Sequence, residues 1–119
     1  MKRRMYSREK TFLFAVEIIR NYKVLVEKKE FVMSKQLLRS GTTIGAMVRE
    51  AKNAESKADF IHKLGIAQKE CDETTYWLEL LKETDYMTSD DFNKTSQQAS
   101  EILRITRSSI LTAKEKIKS

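Results

Sequence analysis

Proline is absent from this chain and glycine occurs only three times, so tight turns and hairpin-rich sheets are poorly provided for. Glu, Lys and Leu are plentiful instead, which favours long helices. One cysteine, Cys71, excludes an intrachain disulfide and makes a reducing cytoplasm the expected location. A single histidine, His62, is too few for a His-rich metal centre. Asp59 and His62 have the carboxylate-x-x-His spacing of di-iron bundles, but those sites need a second His and several inward carboxylates. No metal or cofactor is expected, and His62 reads as a surface residue. No run of 18 apolar residues is present, and the uncharged stretch from Ser40 to Val48 is far too short to span a bilayer. The basic N-terminus followed by apolar Thr11 to Val16 superficially resembles a secretion leader. Glu17 interrupts it and no small-residue cleavage site follows, so it reads as part of the fold. Gly41 and Gly45 fall inside a helical pattern rather than before one, which excludes a phosphate-cradling loop.

Charge is abundant: 34% of the 119 residues are charged and the formal net charge is +6. Residues 1–10 carry +4, residues 11–54 carry +4, residues 55–87 carry −4 and residues 88–119 carry +2. A basic N-terminal half and an acidic third segment suit polyanion binding, subunit docking or solubility. The length is that of one domain with a single core.

The chain is organised around residues 34–51. Ser34, Leu37, Gly41, Ile44, Val48 and Ala51 are separated by steps of 3, 4, 3, 4 and 3, the seam of a helix packed on helices. Each mid-helix glycine costs about 1 kcal/mol relative to Ala. Gly41 and Gly45 share one face, where a missing side chain admits a neighbouring backbone. Residues 1–6, with Lys2, Arg3 and Arg4, read as a loose basic arm. Ser7 is the expected N-cap of helix one, whose seam is Phe12, Ala15, Ile19, Tyr22 and Val26, to about Lys28. Phe14, Ile18 and Leu25 form a second stripe, so helix one has two apolar faces to bury, in the bundle or against another subunit. Lys28 to Glu30 is a turn. Helix two ends near Asn53, and Arg39 and Glu50 on its other face are three turns apart, too far to pair with each other. Ser56 with Asp59 resembles a capping box for helix three. Its seam is Phe60, Leu64, Ala67, Cys71, Thr74, Leu78 and Leu81, to about Glu83. Ile66, Glu70, Glu73, Trp77 and Leu80 run beside it. Thr88 caps helix four, whose seam runs from Phe92 through Ser96, Ala99, Leu103, Thr106, Ile110 and Ala113 to Ile117. Short connections make neighbours antiparallel. The expected fold is all-α, an up-down-up-down four-helix bundle forming one domain over residues 1–119.

Two stretches carry a family resemblance. Gln36-Leu-Leu-Arg-Ser-Gly-Thr-Thr-Ile-Gly-Ala46 with Glu50-Ala51 resembles the second-helix signature of a bacterial four-helix-bundle family. That family is named for proteins encoded by intervening sequences in 23S rRNA genes. Asp59-Phe-Ile-His-Lys-Leu64 and Ile66-Ala-Gln-Lys-Glu-Cys-Asp-Glu-Thr-Thr-Tyr-Trp-Leu78 resemble its third-helix signature. The match covers nearly the whole chain in length and order. More distantly, the family is similar to the accessory protein of diversity-generating retroelements, a basic pentameric bundle that binds nucleic acid and a reverse transcriptase. The resemblance implies the fold and a ring-shaped homo-oligomer, a homopentamer. Position 43 is Thr where the family usually has Ser, and Met47 stands where Asn is typical. An amide contact made by that Asn would be lost here, whereas at a subunit seam Met would replace it by packing.

Candidate sites fall into two sets. Lys2, Arg3, Arg4 and Arg8 form one basic cluster, and Arg104, Arg107, Lys114 and Lys118 form a second along helix four. Both suit phosphate-directed binding of RNA or another nucleic acid, multiplied by copies in a ring. No RNA-binding motif accompanies them, and no aromatics interleave with the helix-four cations. Arg39, Gly41, Gly45, Glu50, Glu70, Glu73, Tyr76 and Trp77 form the set for close packing and subunit contact. Tyr76 and Trp77 are core filler or intersubunit contacts, since interface centres favour both types. The acidic third helix is expected to dock against Arg39 or Arg49 of a neighbour. Cys71 on a seam reads as a buried small hydrophobe rather than a nucleophile. Glu70 and Glu73 imitate an acid–base pair but have no pocket-forming loops beside them. The expected function is a non-catalytic oligomeric binding or scaffold module with nucleic acid as ligand, no membrane role and no small-molecule substrate. A protein-directed adaptor is the alternative.

Overall fold

Where each helix starts and stops follows from a few local bonds. The computed structural model describes residues 2–118, with side chains from residue 7 onward. Its four helices are α1 (Lys2–Glu27), α2 (Met33–Lys52), α3 (Lys57–Glu83) and α4 (Ser89–Lys118). Helix α1 starts at Lys2 rather than after Ser7. The expected arm is helical backbone, and Ser7 lies inside the helix instead of capping it. Lys, Arg and Met are good helix formers and nothing in residues 2–6 breaks the pattern.

Helix α1 stops without glycine. Lys29 takes φ 66°, and the Lys29 and Glu30 amides donate to Val26 O and Leu25 O at 2.9 Å each, a Schellman stop. Helix α3 ends the same way at Asp85, φ 67°, with Tyr86 N donating to Leu81 O. Glu30 then starts α2: its carboxylate accepts from the amides of Val32, Met33 and Ser34 at 3.3, 3.1 and 2.7 Å. Ser34 Oγ donates back to Glu30 O at 2.7 Å. The expected caps of the later helices are present. Ser56 Oγ accepts from Asp59 N at 3.1 Å and Thr88 Oγ1 from Asp91 N at 3.1 Å. Asp59 reaches back to Glu55 N, one residue earlier than a capping box has it.

The helices pack up-down-up-down into a rod of 51 × 22 × 21 Å. The α2 seam, Ser34, Leu37, Gly41, Ile44, Val48 and Ala51, is buried throughout, with Ser40 added. On α3, Leu64, Ala67, Cys71, Thr74, Leu78 and Leu81 are buried, while Phe60 packs partly buried against the core. Ser40 and Thr74 are wholly buried and join α2 to α3 through hydroxyls 2.8 Å apart.

Helix α1 corrects the expectation. Phe14, Ile18 and Leu25 are the core stripe, joined by Thr11, whereas Phe12 and Ile19 of the expected seam are exposed. Both stripes are apolar, and the one beside the glycines won. A Cβ on Gly41 would lie 2.7 Å from Ile18 Cγ1, and one on Gly45 would lie 3.4 Å from Thr11 O. The close approach is therefore between α1 and α2 of one chain. Met47 packs partly buried against the same core.

Helix α4 buries Thr95, Ala99, Ile102, Thr106, Ile110 and Ala113, but Ile117 is exposed. The register explains this. Cys71 Sγ meets Ala99 O at 3.2 Å, which sets Lys57, the first residue of α3, level with Ala113. Beyond it α4 overhangs its neighbour, and residues 114–118 are exposed.

Candidate functional site

The antiparallel register gathers charge at one end of the rod. That end holds residues 2–14, 45–66 and 100–118, with 14 Lys and Arg against six Asp and Glu. The other end, residues 15–44 and 67–99, holds nine against 11. The ends carry +8 and −2, so more than the whole net charge sits at one tip. Lys10 Nζ bonds Glu101 at 2.7 Å, which fixes the N-terminal part of α1 beside the middle of α4. The two basic clusters, far apart in sequence, are therefore at the same end. Arg8, Arg104, Arg107, Lys114 and Lys118 are exposed there. Lys2, Arg3 and Arg4 belong to the same end by their place in α1, their side chains lying outside the described residues.

This end also carries a feature that sequence spacing did not single out. Phe12 is 53% exposed, and Arg49 of α2 stands over its ring with its guanidinium carbon 5.8 Å from the centroid. A shallow open cavity of about 350 Å³ is lined by Arg8, Glu9, Phe12, Arg49 and Lys52. The Arg8–Phe12 spacing of four was available in the sequence. Assigning Phe12 to the core hid it.

The second set of residues turns inward on its own chain. Arg39 Nη1 is 3.2 Å from Glu70 Oε1, and its other terminal nitrogen bonds Glu73. Glu73 also accepts from Trp77 Nε1 at 3.2 Å. Those bonds hold the Glu73 carboxyl below its usual range, the Trp77 bond contributing most and Arg39 adding to it. Arg39 is raised above its ordinary value, chiefly by the bond to Glu73. Glu50 takes Lys63 at 3.0 Å. The partner expected from a neighbouring subunit is supplied by α3 of the same chain, so these charges are matched within one bundle. Trp77 is half-buried against the core with Tyr76 edge-on at 5.2 Å, and Tyr76 is 54% exposed.

Glu70 and Glu73 are both engaged by Arg39. Cys71 is buried, and burial pushes its thiol up to about 11, unsuited to nucleophilic work at neutral pH. His62 is exposed. Among the described residues no three His, Cys, Asp or Glu side chains gather to hold a metal. Among the same residues no helix is long and apolar enough to cross a membrane.

Caps, seams and charge distribution together define a small antiparallel four-helix bundle whose distinctive surface is one strongly basic tip. Residues 3–108 match the family described as 23S rRNA-intervening sequence protein, and the chain belongs to that family. It is also similar to the crystal structure of a protein with unknown function from the S23 ribosomal protein family of Bacteroides thetaiotaomicron VPI-5482. The identity is 51%, the TM-score 0.89, and the match covers 91% of this chain and 97% of that one. Comparison with curated proteins gave no match.

Proposed function

We propose that this protein is a non-catalytic, self-associating module that binds nucleic acid, RNA foremost, through the basic tip of its bundle. The observation that carries this reading is the segregation of +8 to one end and −2 to the other. A rod with its charge spread evenly would be merely soluble. A rod with a cationic tip attracts a phosphate backbone, orients itself on it, and releases counterions on contact. Arg8, Arg104, Arg107, Lys114 and Lys118 are the contacts, with Lys2, Arg3 and Arg4 extending the patch.

Self-association is supported by the outward side of α1, where Leu13 and Val24 are about half exposed and Val16 lies between them. A helix apolar on its outer as well as its inner side is stable in water when a second copy covers it. A ring of five copies is the assembly implied by the family resemblance, and it would present several tips to one strand.

Filter binding of structured RNA and of single-stranded DNA across a salt series tests the reading. The expected outcome is binding at low salt that falls steeply as salt rises, on a logarithmic slope of about −0.7 to −0.9 per phosphate contacted. Failure to bind either ligand at low salt would leave the protein-directed adaptor as the function.

A further inference from the structure

We infer that the groove around Phe12 is a subsite for an unpaired base, so that the basic tip takes single-stranded nucleic acid in preference to duplex. The inference rests on the nucleic-acid reading above and specifies its ligand. Five residues from two helices make the groove. Arg8 and Phe12 are one turn apart on α1, and Arg49 and Lys52 face them from the last turn of α2. Phe12 is half exposed although Phe14, two positions on, is completely buried. The bundle's core therefore does not need the ring, and its flat face lies in a cationic setting. Arg49 over the ring is a cation–π pair on one side of Phe12, and the guanidinium plane and the half-exposed ring are each surfaces on which a base can stack.

Such a surface recognises bases through their π-faces, whatever the sequence, while nearby cations hold the backbone. In a duplex those faces are stacked on one another and out of reach of a ring fixed on a helix. The groove's remaining residue, Glu9, sharpens the choice. A carboxylate repels phosphate but accepts a hydrogen bond from an exocyclic base amine. The lining thus suits a base with its phosphates displaced toward Arg8, Arg49 and Lys52. Three cations on one carboxylate leave the groove net positive.

The test is fluorescence anisotropy at low salt with the full chain. The probes are labelled oligo-cytidine, oligo-deoxycytidine and a duplex of equal length, and the proteins are wild type, Phe12→Ala and Phe12→Trp. Phe12→Ala is expected to weaken single-strand binding about 5- to 150-fold, the range of one base–aromatic stack, and to leave duplex binding and assembly mass unchanged. Phe12→Trp is expected to bind single strands at least as well as wild type. The strand should quench more of its tryptophan emission than that of wild type, whose only tryptophan is Trp77. Equal losses on single strand and duplex, an altered mass by light scattering, or no added quenching in F12W would overturn the subsite. No binding of any probe by wild type would instead sink the nucleic-acid reading itself.

Discussion

At the scale of single residues, the three glycines of this chain are not equivalent, and their differences are measurable. Gly41 has no room for a methyl group: the added carbon would sit 2.7 and 2.9 Å from two carbons of Ile18, which is itself fully buried. Gly45 would make ordinary contact at 3.4 Å, and Gly65 would meet nothing within 4 Å. Alanine gains about 1 kcal/mol of helix propensity at any of the three, but overpacking costs about 1–3 kcal/mol. Urea unfolding should therefore show Gly41→Ala destabilised, and Gly65→Ala stabilised by up to about 1 kcal/mol. Gly45→Ala should fall at or slightly above wild type. Glu73 offers a titration at the same scale. Its carboxyl is held below the usual value of 4.5, so its contribution is complete above the ordinary glutamate range and fades as pH falls through the lowered value. Between about pH 5 and pH 3, wild type should lose more stability than Glu73→Gln. High salt should shrink the difference, because Arg39 and Glu73 are partly exposed. Emission from Trp77, bonded to that carboxylate, should shift over the same acidic window.

At the scale of elements, the buried faces of α2 and α3 were legible in the sequence and that of α1 was not. Their seams alternate threes and fours without a rival stripe, and all six named positions of α2 and six of seven on α3 are buried. Helix α1 has apolar residues on several sides, so periodicity offered two seams, and the choice between them depended on where Gly41 lay in space. The capping residue of α2 was not legible for a different reason. Sequence reading seeks Ser, Thr, Asp or Asn at an N-cap, whereas here Glu30 takes three amides from two residues farther back. Likewise Lys29 and Asp85 occupy left-handed positions where glycine would be the usual signal. The surplus apolar surface of α1 has a consequence for assembly. Leu13→Glu together with Val24→Glu adds charge to half-exposed positions outside the core. In light scattering this double variant should drop to a smaller mass while its helical circular dichroism stays intact. An unchanged mass would remove α1 as the seam.

For the whole molecule, the decisive property is one that no single segment displays. The sequence shows four blocks of charge. Only the antiparallel register, fixed by contacts such as Lys10 to Glu101 and Cys71 to Ala99, brings the basic N-terminal block and the basic part of the C-terminal block to one end. Both candidate clusters were visible beforehand as residues, but their meeting was not, because it depends on helix lengths and on α4 running past its neighbour. The groove at Phe12 was hidden because Phe12 reads as a core position and the facing wall comes from α2. Of the set headed by Arg39, by contrast, Arg39, Glu50, Glu70 and Glu73 join α2 to α3 within the chain, and Gly41 and Gly45 admit α1. The measurement that bears most directly on the basic tip compares charge reversals at the two ends. Arg104→Glu with Arg107→Glu alters the cationic end, and Lys28→Glu with Lys29→Glu alters the other. With nucleic-acid affinity followed across salt, the first pair should weaken binding severely and flatten the logarithmic salt slope by about 1.4 to 1.8. The second pair should leave both nearly as in wild type. Equal effects from the two pairs, or none from the first, would contradict a tip-directed grip on phosphate.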